Sequence, residues 1–268
     1  MVVFLQGCPL RCPHCQNRRL QSGERYVPLH YIVSRIVSEV KGLPGPSRSA
    51  LFSEGLECGS TSCHSPLQIK LDEAAQRAIS KPFVDGLVLS GGEPLLQLEA
   101  CRHLFRLAKS LDLATGLETS GIFPDHLEML LEEGLVDRVF LDLKSALEEP
   151  DYEAATGRGH SASAVRKSLE NCFKSGCVFE ARTTVFPHDP STAQAEKIAG
   201  ALCRLKGLYP RSRLEGLILQ QGHPGEDESP FSPVSIEEME QMAEACRAAS
   251  HGEVEIRVHA LPKMVWES

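Results

Sequence analysis

The sequence predicts an α/β fold, an incomplete (β/α)6-type parallel barrel. Three observations lead there. Short apolar segments of strand length alternate with longer segments whose apolar residues recur at helical spacing. Regular alternation of this kind implies parallel strands with helices on the sheet faces. The repeat runs to about six βα units, short of the eight that close a barrel.

The first strand is the apolar run Val2–Gln6, just after Met1. Further strands are expected at Val84–Ser90, Leu113–Glu118, Arg138–Leu143, Phe179–Phe186, Leu214–Gln220 and Val254–Val258. Between them, helical spacing covers Leu96–Ser110, Asp125–Glu133, Ala162–Lys174, Thr192–Leu205 and Ser235–Ala249. Asp125 and Ser235 suit helix N-caps, and Gly134 and Gly176 suit helix stops. Gly42–Ser65 breaks the rhythm. It is rich in Gly, Pro and Ser and reads as a long loop, and loops of that length are commonly functional or disordered. Gly222–Pro233 reads as a second polar, proline-rich loop. The expected organisation is a core over residues 1–221 with a loop insertion at 42–65, and a helix–strand extension of the same domain over 222–268. In such a fold the chemistry belongs at the C-terminal ends of the strands.

With 268 residues the chain has room for one domain or two and for its own core. A formal net charge of −8 argues against a generally basic nucleic-acid surface. No apolar run approaches the ~20 residues of a membrane span. The N-terminus lacks the basic region and long apolar core of a secretory signal. The expected location is therefore the cytoplasm, where disulfides are rare. The ten cysteines then divide among core packing, metal ligation and catalysis.

Three of them form Cys8-Pro-Leu-Arg-Cys12-Pro-His-Cys15 directly after the first strand, where Pro9 and Pro13 oppose a helix. Thiolates spaced this closely can converge on one soft-metal site. Zinc would ask for a fourth Cys or His. His14 lies between two ligands and is poorly placed for that, whereas Cys63 or His64 of the long loop could supply it. A [4Fe–4S] cluster gives a different reading: three cysteines hold three irons and leave the fourth open to a substrate.

The stretch from Phe4 to Asn17, FLQGCPLRCPHCQN, resembles the cluster motif of radical S-adenosylmethionine (SAM) enzymes, and most of all that of the activating enzymes of glycyl-radical enzymes. Later segments extend the resemblance in order. Ser90-Gly91-Gly92-Glu93-Pro94 resembles the family's GGEP motif, and Glu118-Thr119-Ser120-Gly121 its acidic-Thr-Asn-Gly turn. Gly134 through Asp142 and Lys144 resembles its DxK strand. Glu180-Ala-Arg182-Thr183-Thr184 and Leu219-Gln220-Gln221 are similar to motifs of the anaerobic ribonucleotide reductase activator branch. Together they cover most of residues 1–221 outside the Gly42–Ser65 loop.

The resemblance implies a [4Fe–4S] cluster on Cys8, Cys12 and Cys15, the catalytic and metal-binding residues, with SAM chelated to the open iron. One electron would cleave the sulfonium C–S bond to give methionine and a 5′-deoxyadenosyl radical, which takes a hydrogen from a backbone glycine of a partner. Cofactor contacts are implied for His14 and Asn17. The Gly91–Gly92 pair lets the backbone approach a ligand closely. Glu93 offers a carboxylate to the methionyl amino group. Lys144 and Arg182 suit an anionic carboxylate, Arg with a fork of donors, and internal pairing with Glu118, Asp142 or Glu180 fits them equally. His223 would reach the ribose. Glu118 and Asp142 are two like charges on one rim and need a cation, a proton or Lys144. By resemblance a monovalent cation would sit on Glu118, Thr119 and Asp142, although Glu118 stands here for the Asp common in activators and Ser120 for Asn.

The implied activity is that of an anaerobic radical SAM oxidoreductase, a glycyl-radical enzyme activase. Its first-choice partner is anaerobic ribonucleotide reductase, chiefly from Arg182-Thr183-Thr184, with an electron donor such as flavodoxin or ferredoxin and with no nucleic acid or membrane. Two alternatives stay open: a radical SAM enzyme acting on a small molecule, similar to 7-carboxy-7-deazaguanine synthase, and a non-enzymatic iron–sulfur module. Related activators usually carry an extra segment before the cluster strand, whereas here the strand starts beside Met1; a short chain and a late start codon both fit.

Cys58 and Cys63, with His64, fit free thiols in a variable loop, an auxiliary metal site or a redox-sensitive pair. They are too few for the inserted ferredoxin-like domain of some activators. Cys101, Cys172, Cys203 and Cys246 in amphipathic helices, and Cys177 at a strand start, are expected as core packing. Gly157-Arg-Gly159-His-Ser-Ala162 mimics a dinucleotide-binding GxGxxA run, but it does not follow a strand and is rejected as one.

Overall fold

A computed structural model of the chain describes residues 1–22, 26–42, 84–224 and 231–260. They belong to two compact units, Met1 with Glu24–Asp85 and Val2–Gly23 with Gly86–Ser268. In the first unit the described element is helix α1 (Leu29–Lys41), preceded by Pro28 and closed by Gly42 in the left-handed conformation. Sequence reading missed this helix. Its signal is the apolar run Leu29, Ile32, Val33, Ile36, Val37 and Val40 at helical spacing.

The second unit carries the sheet. Its strands are β1 (Val2–Leu5), β2 (Gly86–Gly91), β3 (Ala114–Thr119), β4 (Arg138–Asp142), β5 (Val178–Val185), β6 (Arg213–Gln221) and β7 (Ile256–His259). Each pairs in parallel with the next, in the order β1 to β7. The two outermost strands, β1 and β7, are not paired with each other, so the sheet is open. This is the expected α/β class with an incomplete parallel barrel. The strand expected at Val84–Ser90 starts later, at Gly86, and runs on to Gly91.

The connecting helices are α2 (Leu98–Ser110), entered through a 3-10 turn at Pro94–Gln97, then α3 (Pro124–Glu132), α4 (Asp151–Thr156), α5 (Ser161–Ser175), α6 (Thr192–Leu208) and α7 (Ile236–Ala249). The short helix α4 was not expected; Pro150 before it and Gly157 after it are its only sequence marks. Asp125 is not an N-cap. Helix α3 starts at Pro124 with Phe123 at the cap, because proline is suited to the first helical position. Asp125 instead meets Lys167 at 2.6 Å. Ser191 and Ser235 each close a capping box, with Gln194 and Glu238.

Alternation along the strands sorts the side chains onto two faces. Leu87, Leu89, Leu117, Val139, Leu141, Phe179, Ala181, Leu217 and Leu219 are wholly buried. Fully burying a side chain of leucine size contributes about 1.5–3 kcal/mol. The intervening residues, Ser90, Glu118, Phe140, Asp142, Arg182, Thr184 and Gln220, line a cavity instead. The parallel register sets Glu118 beside Phe140, Asp142 beside Arg182 and Thr184 beside Gln220. Among the described residues no helix is long and apolar enough to cross a membrane. Residues 43–65 of the expected long loop, with Cys58, Cys63 and His64, lie outside the described residues, as do residues 225–230 of the second loop.

Ser235→Ala removes the hydroxyl that caps α7 and should cost about 1 kcal/mol. Urea unfolding checks this: the midpoint falls with an unchanged slope, and an unmoved midpoint contradicts the capping role.

Candidate active site

The chain leaves β1 at Leu5 and crosses the strand ends as an irregular loop that carries Cys8, Cys12 and Cys15. Such a loop must find partners for its own backbone groups. Gly7 N–H donates to Leu20 C=O at 2.6 Å and Cys8 N–H to Gln21 C=O at 3.2 Å. Gly92 N–H donates to Leu5 C=O and Glu93 N–H to Gly7 C=O, both at 2.9 Å. Arg11 N–H donates to Thr156 C=O at 2.7 Å. The Arg11 guanidinium also donates to the carbonyls of Cys8 and Leu10, at 2.8 and 2.9 Å.

The Gly91–Gly92 pair makes this packing possible. A Cβ on Gly91 would lie 2.1 Å from the Leu5 oxygen, and one on Gly92 2.4 Å from the Gly7 oxygen. Gly91 also has φ +130, a conformation open to glycine. The close approach expected toward a ligand is therefore first an approach of chain to chain, although both glycines line the cavity as well.

The cavity measures about 260 Å³. Of the residues expected at a site, it brings together the three cysteines, His14, Asn17, Gly91, Gly92, Glu118, Thr119, Asp142, Lys144 and Arg182. Asn17 donates from its amide to Gly91 C=O at 3.2 Å. Glu93 and His223 are not among its walls. His223 stays next to the cysteine loop, its carbonyl accepting from Gln16 at 3.2 Å. Among the described residues its buried Nε2 has no hydrogen-bond partner.

Glu93, expected to offer its carboxylate to the cavity, makes its contacts within the protein. It has no exposed surface, and its carboxylate is filled by protein donors. Oε1 accepts from the Thr119 hydroxyl at 2.7 Å and from Leu95 N–H at 3.2 Å. Oε2 accepts from Ser120 N–H at 2.9 Å and the Ser120 hydroxyl at 2.5 Å. Burial raises its pKa, while the bonds from Ser120 and Thr119 work against that rise. Glu93 thus clasps the turn after β2 to the end of β3.

Glu118, Asp142, Lys144 and Arg182 on the cavity wall are paired. Lys144 Nζ bonds Asp142. Burial works against the ammonium, but Asp142 and the neighbouring Cys12 hold its pKa above the ordinary lysine value. Arg182 donates to Glu180 at 2.6 Å and to Glu118 at 2.9 Å. Its guanidinium lies 4.0 Å from the centre of the Phe140 ring. Arg257 approaches Glu180 at 3.7 Å. Glu118 and Asp142, expected to share a monovalent cation, therefore each meet a cation of the protein.

Burial raises the Cys8 thiol and pushes Cys12 up to about 11, and the charge of Lys144 acts the other way on both. All three thiols are free and partly exposed. Among the described residues no three His, Cys, Asp or Glu side chains are grouped to hold one metal ion. A multi-iron cluster takes one thiolate per iron, so its ligands stand at separate corners. Three soft donors on one wall, with a lysine beside them, fit that kind of group.

Sequence reading missed the aromatic part of the site. Phe140 and Phe186 line the cavity, and His14 stacks on Phe186 with ring centres 4.6 Å apart. The signal was present in the strand period, since Phe140 lies two residues before Asp142 and Phe186 four after Arg182. Of the cysteines expected as packing, Cys101, Cys172 and Cys246 are buried, whereas Cys177 and Cys203 are half-buried.

The model of the radical SAM superfamily matches residues 63–193. That span holds the Gly91–Glu93, Glu118–Gly121 and Asp142–Lys144 segments and begins beyond Cys15. The (2S)-3-sulfopropanediol sulfolyase activating enzyme of Bilophila wadsworthia is 29% identical over 199 residues, 65% of this chain and 64% of that protein. The chain thus spans a little under two thirds of that relative's length. The isethionate sulfite-lyase activating enzyme of Nitratidesulfovibrio vulgaris is 25% identical over 265 residues, 88% of this chain and 85% of that one. Among solved structures, Streptococcus suis SuiB bound to its precursor peptide SuiA superposes with a TM-score of 0.61 at 12% identity, over 97% of this chain and 48% of that one, which is a likeness of fold.

Glu93→Gln places an amide NH2 against the donors of Ser120, Thr119 or Leu95 and should destabilise the fold by about 1–3 kcal/mol. Chemical denaturation measures it, and a variant as stable as the parent contradicts the clasp.

Proposed function

We propose that the chain is a radical SAM enzyme, as the superfamily's match to residues 63–193 and the activating-enzyme relatives support, and that it reductively cleaves SAM and installs a glycyl radical on a partner enzyme. The observation that carries this is the set of three cysteines on the loop after β1, sharing one cavity with Asp142, Lys144 and Arg182 at the C-terminal ends of the strands. When bound on Cys8, Cys12 and Cys15, a reduced [4Fe–4S] cluster supplies the electron that breaks the sulfonium bond.

The protein's own groups then position the substrate. Gly91 and Gly92 offer backbone to its methionyl end, with Asn17 fixing the Gly91 carbonyl. Lys144 supplies positive charge for the carboxylate of SAM. Arg182 is held by two carboxylates and the Phe140 ring, so it stiffens the wall and presents its remaining donors. His14 on Phe186 forms an aromatic wall, and His223, beside the cysteine loop through its carbonyl bond from Gln16, is the group proposed to reach the ribose. Thr119 serves through Glu93. Glu118 and Asp142 meet protein cations, and no monovalent ion is assigned to them.

The partner is a glycyl-radical enzyme, supported by relatives whose names are those of activating enzymes. Those relatives are named for lyases, and this favours a lyase. The choice of anaerobic ribonucleotide reductase rests on the Arg182-Thr183-Thr184 run, whose arginine is engaged inside the cavity. A flavodoxin or ferredoxin as electron donor, and a reducing cytoplasm without nucleic acid or membrane partners, go with such a cluster. Residues 222–268 extend the sheet-bearing unit, as the pairing of β7 with β6 supports.

Anaerobic reconstitution with iron and sulfide, followed by reductant and SAM, should yield 5′-deoxyadenosine and methionine. Cys12→Ala should abolish both products; absence of 5′-deoxyadenosine from the parent protein overturns the proposal. A glycyl-radical EPR signal on an added lyase, or on a reductase instead, identifies the partner. Lys144→Met should weaken SAM binding roughly tenfold or more, the scale of one charged hydrogen bond. Equilibrium binding measures it, and an unchanged affinity removes Lys144 from the SAM site.

A further inference from the structure

The turn between α4 and α5 meets the cysteine loop backbone to backbone. Thr156 C=O accepts the Arg11 N–H at 2.7 Å. The next residue, Gly157, has φ +62, and a Cβ there would lie 2.8 Å from the Arg11 oxygen and 2.9 Å from the Arg11 Cβ. Contacts that short cannot form without displacing the loop. Arg11 immediately precedes Cys12, and its guanidinium ties the carbonyls of Cys8 and Leu10.

The turn is itself rigidly held. Thr156 and Ser161 have no exposed surface. The Thr156 hydroxyl bonds Tyr152 C=O at 2.7 Å and the Ser161 hydroxyl at 2.9 Å. At the start of α4, the buried Tyr152 accepts the Lys144 N–H on its phenol oxygen at 3.3 Å. Helix α4 is thus a bracket from the end of β4, where Asp142 and Lys144 sit, to the residue beside Cys12.

We infer that Gly157 is a positioning residue for the Cys8–Cys15 loop: the missing side chain lets the loop seat on the α4–α5 turn and fixes Cys12 relative to Lys144. The inference rests on the reading of the three cysteines as cluster ligands. It gives the Gly157-Arg-Gly159 run, rejected as a nucleotide motif, a role in holding the metal site. Gly176 is the internal comparison. It has φ +72, yet a Cβ there would meet nothing within 4 Å. Substitution at either position strains the backbone alike, but only Gly157 presses on the loop.

The test compares the reconstituted parent with Gly157→Ala, Gly157→Asn and the same two changes at Gly176; asparagine tolerates the left-handed conformation better than alanine. Iron release to a chelator and the EPR spectrum of the reduced protein are followed beside the thermal midpoint. Both positions should lose midpoint with alanine and recover part of it with asparagine. Only the Gly157 variants should release iron faster, about tenfold or more as for other supports of metal ligands, with shifted g values. Gly157 variants that match the Gly176 variants in release and spectrum overturn the inference. So does a Gly157→Asn protein that fails to fold while Gly176→Asn folds, because the residue then holds the fold and not the loop. A parent that takes up no cluster refutes the cluster reading instead.

Discussion

The backbone bonds that fix the cysteine loop are the constraint on which the site depends. The loop from Gln6 to Asn17 has neither helix nor strand hydrogen bonds of its own. Its amides and carbonyls are met by the turn after β2, by residues Leu20 and Gln21, and by the end of α4. At two of these contacts the neighbour is a glycine that any side chain would force away, Gly92 against Gly7 and Gly157 against Arg11. The course of the loop that carries the three cysteines is therefore set by main chain packed on main chain.

Around the loop, the polar groups are arranged so that few buried charges go uncompensated. The clasp of Glu93 on Thr119 and Ser120 joins the ends of β2 and β3. The Glu118–Arg182–Glu180 chain joins β3 to β5 across the Phe140 ring of β4. A buried ion pair adds little net stability, but removing one partner leaves the other charge unmet. These pairs consequently hold geometry more than they add stability. Lys144 is the cation nearest the thiols in electrical effect, lowering the cost of charge on both Cys8 and Cys12.

Much of the architecture was legible because strand period and helix period are local signals. All seven strands fall where apolar runs predicted them, and the parallel order follows from the alternation with helices. Helix α1 carried the same signal and was overlooked; α4, with six residues, is too short to show a period. At the site, the cysteine spacing and the strand-end motifs named the residues that gather. The role of Glu93 was not legible, since it depends on Ser120 coming to the same turn across two parallel strands. The part of Gly157 was hidden for a similar reason: its partner, Arg11, lies far away in sequence, and only the fold places them together.

The most direct measurement is the EPR spectrum of the reduced, reconstituted protein before and after SAM is added without partner enzyme. A cluster on Cys8, Cys12 and Cys15 with one iron open to SAM predicts a change in g values on addition, and no such change with an analogue lacking the methionyl amino and carboxylate groups. A spectrum that SAM leaves unmoved would contradict the account.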